Sequence, residues 1–134
     1  FREVVEGAVE LADVVFGAAS DEIGALAGID DPVKAAKSLA GTDRLVIARL
    51  GAAGAVACSA SEVATGPGFE ILVADTVGAG DAFNAGFIAA RLRGEDVGGA
   101  VRWGNAVAGL TVSQPGARSS PTRSDVEALL DQQM

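Results

Sequence analysis

The 134-residue sequence predicts an α/β chain, a single domain over 1–134 with about four strands flanked by helices. Three observations carry this. The run Glu70-Ile71-Leu72-Val73-Ala74 reads as a short buried strand that feeds a glycine turn and then a helix, in which Phe83, Phe87, Ile88 and Leu92 recur at helical spacing. Asp13-Val14-Val15-Phe16 is a second strand, followed by a turn at Gly17-Ala18-Ala19 and a second helix start. A well-signalled helix then precedes Arg44-Leu45-Val46-Ile47-Ala48-Arg49-Leu50, which turns through Gly51-Ala52-Ala53-Gly54 into a returning strand, Ala55-Val56-Ala57-Cys58.

Taken in order, residues 2–12 carry Val5, Ala8, Val9 and Ala12 on one side and Glu3, Glu6 and Glu10 on the other, the pattern of an amphipathic surface helix. After the first strand, Ser20 is the expected cap, with Asp21 and Glu22 in the first turn. Asp31-Pro32 opens the next helix and Gly41 closes it, a proline just inside the start and a glycine just past the end. Gly66-Pro67-Gly68 breaks the chain before the strand at 70–74. Helices are expected at about 80–92, ended by Arg93-Gly94, and at about 96–113, where Val97, Ala100, Val101, Ala106, Val107, Leu110 and Val112 leave little polar surface and imply burial on several sides. Ser124-Asp125-Val126-Glu127 matches a capping box that would start the last helix, through Ala128, Leu129 and Leu130 to Met134.

The organising stretch runs from Asp75 to Phe87. Gly78 and Gly80, with only Ala79 between them, allow a sharp bend and leave the N–H groups of residues 78–81 uncovered at a helix N-terminus, the geometry of an anion site. Asp81 is either a cap for those amides or, beside a bound phosphate, a proton acceptor. A dinucleotide fingerprint fits worse, because Phe83 stands where the third glycine belongs. A phosphate loop ending in Gly-Lys-Ser/Thr is absent, and Lys34 and Lys37 are the only lysines.

Composition narrows the chemistry. Eighteen acidic against ten basic residues give a formal charge of −8, which opposes a nucleic-acid backbone or an anionic membrane as partner. No apolar run approaches a membrane span, and Phe1-Arg2-Glu3-Val4 lacks a secretory pattern, so a cytoplasmic location is expected. Cys58 is the only cysteine and histidine is absent, which removes thiolate metal clusters, the usual zinc ligand and the usual general base. Chemistry must then rest on carboxylates, hydroxyls, amides and backbone dipoles, a set that suits phosphoryl transfer.

Asp75-Thr76-Val77-Gly78-Ala79-Gly80-Asp81-Ala82-Phe83, followed by Ala85-Gly86-Phe87, resembles the C-terminal signature of the ribokinase-like, phosphofructokinase-B (PfkB) family of carbohydrate kinases. The resemblance implies a ribokinase-like, Rossmann-type layered fold, of which this chain corresponds to the C-terminal part; the N-terminal half that supplies substrate contacts and lid has no counterpart here. It implies ATP-dependent phosphorylation of a sugar or sugar-acid hydroxyl, with Asp81 as general base and the backbone of Gly78, Ala79 and Gly80 as anion hole. Thr76, Gly51, Gly54, Asn105 and Gly109 fall at cofactor-binding positions. Glu22 would bind Mg²⁺ through water, although Ala19 stands where the family's motif has an asparagine. Asp75, Val77, Gly116 and Ser120 would form a monovalent-cation site, for K⁺.

Each carried-over role has a plainer alternative. Glu22 can merely favour a helix N-terminus, Gly51 and Gly54 can serve a hairpin turn, and the small residues around Asn105 can serve helix packing. A non-catalytic, nucleotide-binding or self-associating piece of such a kinase stays open beside the enzyme reading. With sheet partners missing, an exposed edge would favour a homo-oligomer and little sugar kinase activity from the chain alone.

Overall fold

The structure is a computed structural model and describes residues 1–116 and 120–132. Residue contacts group the span expected as one domain into two compact units, Phe1–Gly51 with Ala55–Thr65, and Ala52–Gly54 with Gly66–Met134.

The first unit holds α1 (Arg2–Leu11), β1 (Val14–Ala18), a π-helical turn (Ala19–Gly24) that runs into the single α-turn α2 (Ala25–Ala27), α3 (Pro32–Ala40), β2 (Leu45–Arg49) and β3 (Ala55–Cys58). β4 (Val63–Gly66) completes a four-stranded mixed sheet in the order β1-β2-β3-β4. β1 and β2 run parallel with Val14 opposite Leu45, as a helical crossover requires, and β2 and β3 run antiparallel with Val46 opposite Cys58. Because side chains alternate along a strand, Val46, Ala48, Val56 and Cys58 share one face, which packs on Ala35, Ala36 and Ala40 of α3 and on Ile23. Alanine at all three α3 positions lets the helix sit close to the sheet. The α3 signals hold: Asp31 accepts from the Lys34 amide at 2.8 Å, Pro32 is the first helical residue and Gly41 ends the helix at φ 56°. Arg44 donates to the carbonyls of Leu39 and Glu10, tying the last turns of α3 and α1 together.

The second unit is built on α4 (Ala79–Leu92) and α5 (Val97–Val112), joined through Gly94 at φ 93°, with α6 (Arg123–Gln132) against α5. Two glycines bring α4 and α5 together. A Cβ on Gly104 would stand 2.7–2.9 Å from the Phe83 ring, and one on Gly86 would stand 2.7 Å from Val107. Phe83 and Phe87 stack at 6.2 Å on this interface, and Arg93 lies 4.0 Å over the Trp103 ring at its end.

Three expectations are corrected. Residues 70–74 form no strand. An isolated strand leaves its ladder groups unpaired, and here the Ala74 and Asp75 amides donate instead to the Val112 carbonyl at the end of α5, leaving Leu72 and Val73 exposed. The fourth strand is 63–66, brought back by a tight turn in which Ser59 N donates to the Glu62 carbonyl and Glu62 N to Ser59 Oγ. The last helix is capped two residues earlier than the predicted box: Thr122 Oγ1 accepts from Asp125 N and the Asp125 carboxylate accepts from Thr122 N, while Glu127 pairs with Arg123 at 2.7 Å. This cap places Val126 in the core, 2% exposed. The turn at 17–19 is also tighter than expected, with β1 continuing to Ala18 and the helix starting at Ala19, so Ser20 lies inside it.

Gly104→Ala is expected to lower stability. The helix-propensity gain of about 1 kcal/mol is outweighed by overpacking of about 1–3 kcal/mol against a buried aromatic ring. Gly7→Ala in the middle of α1, where a Cβ meets nothing within 4 Å, is expected to raise it by about 0.5–1 kcal/mol. Urea midpoints of the two variants should therefore move in opposite directions.

Candidate functional site

The α4 N-terminus is a backbone device. Gly78, at φ 84°, occupies the N-cap with no side-chain cap, and the first helical hydrogen bond runs from Ala82 N to the Gly78 carbonyl. Among the described residues the amides of Gly80 and Asp81 have no hydrogen-bond acceptor, whereas the Ala79 amide turns inward to the Thr76 carbonyl at 3.3 Å. Asp81 stands at the third helical position, exposed, and its carboxylate caps none of these amides. Of its two readings from sequence, the cap is the one the geometry does not take up.

Asp75 organises the approach to this turn. One carboxylate oxygen accepts from Val77 N at 2.9 Å and the other from Gly116 N at 3.2 Å, so a single side chain links the signature loop to the loop beyond α5. Those two hydrogen bonds, Val77 first, hold its carboxyl below the ordinary carboxylate range. Asp75, Val77 and Gly116, three of the four residues expected at a monovalent cation, are thus gathered. Ser120 is exposed, and the intervening 117–119 lie outside the described residues.

Glu22 lies in the first unit. Its Oε2 accepts from Ala18 N at 2.6 Å and lies 3.5 Å from Arg49 Nη2, so the carboxylate caps the π-helical turn that follows β1. The side chain is 61% exposed, which fits a water-mediated contact to Mg²⁺ held mainly by phosphates. Among the described residues no group of three acidic, histidine or cysteine side chains could hold a metal directly. Ala19, in place of the motif asparagine, is buried. The Arg49 pairing has no signal in the local sequence; the parallel register, Ala18 opposite Arg49, brings it there.

Among the remaining predicted positions, Gly51 (φ 61°) starts a short 3₁₀ turn, Gly51–Ala53, and Gly54 (φ 104°) follows it. Thr76 is exposed and gives its carbonyl to Ala79. A Cβ on Gly109 would stand 2.6 Å from Ile71 Cδ1, so this glycine seats Ile71. Asn105, 7% exposed, donates from Nδ2 to the carbonyls of Gly66 at 3.0 Å and Pro67 at 3.3 Å. Neither interaction has a signal in the local sequence, because each partner lies more than 35 residues away.

A mixed sheet flanked by helices, with a glycine turn entering the N-terminus of a helix, defines an α/β fold shared with ribokinase-like kinases. A ribokinase of Thermotoga maritima superposes with a TM-score of 0.82 at 32% identity, over 94% of this chain and 44% of that one. A fructokinase of Vibrio cholerae, solved with fructose, ADP and calcium, gives 0.82 at 29% identity, over 96% of this chain and 44% of that one. An ATP-dependent ribose-1-phosphate kinase of Halopiger xanaduensis is 43% identical over 90 residues, 67% of this chain and 30% of that protein. The pfkB family carbohydrate kinase model matches residues 1–123, and the chain belongs to that family. It spans less than half the length of these relatives. Among the described residues no helix is long and apolar enough to cross a membrane.

Because the Asp75 carboxyl is held below its ordinary value, its contribution to stability is present above that ordinary value. It is lost as pH falls through the lowered one. Asp75→Asn should therefore be less stable than the parent near neutrality, and the two urea midpoints should converge in acid.

Proposed function

We propose that the chain carries the nucleotide-phosphate and proton-abstracting part of an ATP-dependent kinase acting on a hydroxyl of a small sugar or sugar acid. The observation that carries this reading is the pair of uncovered amides, Gly80 and Asp81, at the α4 N-terminus, with the Asp81 carboxylate exposed and uncommitted beside them among the described residues. Backbone N–H groups fixed in this way stabilise charge on a transferring phosphoryl group without reorganising. Asp81 would take the proton of the acceptor hydroxyl as its oxygen bonds to the γ-phosphorus and the bond to the ADP oxygen breaks. The Gly80 and Asp81 amides, at the turn opened by Gly78, would form the anion hole, with Thr76, Gly54 and Gly109 around the nucleotide. Mg²⁺ would supply charge neutralisation between phosphates when bound, and K⁺ is assigned to Asp75, Val77, Gly116 and Ser120.

A second reading, a nucleotide-binding piece that associates with itself, is favoured by one observation. β1 is an edge strand of the sheet, and in the same unit Phe1, Val4, Leu11 and Val14 are exposed. Under it the chain binds nucleotide and assembles, with turnover negligible.

Calorimetry of the purified chain with ATP, with and without Mg²⁺, tests the shared part. Binding is expected to be Mg²⁺-dependent, to be abolished by Gly80→Val, and to stay within about tenfold for Asp81→Asn, which keeps shape and removes only the base. Full affinity in a folded Gly80→Val variant would remove the anion from this turn. Where turnover is measurable, Asp81→Asn should lower it by about 10²–10⁴-fold. Sedimentation velocity separates the readings: a concentration-dependent dimer without phosphorylation of ribose or fructose supports the second, and a monomer that phosphorylates either sugar supports the first.

A further inference from the structure

The Ala52–Gly54 turn and the segment at 66–68 lie backbone against backbone, an approach that only glycine permits. A Cβ on Gly54 would run into the Gly66 carbonyl oxygen and stand 2.7 Å from Gly68 N, and one on Gly68 would run into the Ala52 carbonyl. Gly66 is equally confined from the other side, where a Cβ would stand 2.7 Å from Val101 Cγ1 and 3.1 Å from Asn105 Nδ2. Into this stack α5 sends one polar group. Asn105, more than nine-tenths buried, spends its Nδ2 donor on two successive carbonyls, Gly66 and Pro67, across 39 and 38 residues of chain. Residues 67–73 have no regular secondary structure, so ladder bonds cannot do this work.

We infer that Asn105 is a positioning residue: it ties the 66–68 segment to α5, thereby holds the Ala52–Gly54 turn, and acts on nucleotide binding through that turn and not through contact with the base. The effect on nucleotide rests on the kinase reading above, whereas the tie itself does not. A side chain whose donors are spent on the backbone cannot also offer them to a purine. The turn it secures contains Gly54, one of the residues assigned to the nucleotide.

The test is Asn105→Ala in the whole chain, with Asn105→Ser, which keeps one donor, as the milder variant where alanine does not fold. Backbone ¹⁵N relaxation of the ligand-free protein should show the order parameters of Gly54, Gly66 and Gly68 falling from about 0.85 towards 0.6, with those of α4 unchanged. Affinities for ATP and GTP should fall by the same factor, about tenfold, as expected when backbone must be ordered on binding. Unchanged order parameters at the three glycines would overturn the inference, and so would a shift in the ATP-to-GTP ratio, which marks contact with the base. A parent chain that binds neither nucleotide would count against the kinase reading alone, since the relaxation result then still decides the tie.

Discussion

The second unit depends on the close approach of α4 to α5, and that approach depends on two missing side chains. Gly86 and Gly104 let Val107 and the Phe83 ring enter space that any Cβ would fill, so the helices meet at a distance ordinary residues forbid. Everything that positions the anion turn follows from this. The direction of α4 sets where its first amides point, and the end of α5 supplies the Val112 carbonyl that takes up the Ala74 and Asp75 amides just before the turn. The packing and the site are thus consecutive consequences of one contact.

The site itself is built almost wholly from backbone. With no histidine and one buried cysteine, whose thiol burial pushes up in pKa, the chain has few polarisable side chains to spend. What it has instead are glycines and aspartates at turns. Gly78 gives the left-handed residue that opens α4, Asp75 gathers amides from two loops, and Asp81 is left over with its carboxylate in solvent. Such a design suits a reaction in which the protein contributes mainly position and electrostatics, and phosphoryl transfer is of that kind. It also explains why an acidic chain can be assigned a polyanionic substrate: the charge of −8 is a property of the whole surface, whereas the phosphate would meet N–H groups at close range.

Local rules succeeded where the partners of each group lie within a turn of one another. The α3 boundaries followed from Asp31, Pro32 and Gly41, the β2–β3 hairpin from its glycine turn, and the α4 helix, expected at about 80–92 and found at Ala79–Leu92, from the glycine turn before it and Arg93-Gly94 after it. They failed at 70–74, where an apolar run with good strand propensity has no neighbouring strand to complete its hydrogen bonds. They failed also at the last helix, where Thr122-x-x-Asp125 and Ser124-x-x-Glu127 both satisfy the capping pattern. There the buried face of the helix, through Val126, selects between two cap registers that local sequence leaves equal.

The class, the family resemblance and a candidate anion turn were legible in the linear sequence, because two glycines and a carboxylate at a helix start fall within a few positions of one another. Which of the carried-over residues are already engaged by other groups is a matter of the tertiary fold. Glu22 caps its own turn and lies beside Arg49, Gly109 seats Ile71, and Asn105 holds a strap of backbone 38 and 39 residues away. These commitments are hydrogen bonds and contacts between groups distant in the chain, and a linear pattern cannot show which of a residue's donors and acceptors have already been used.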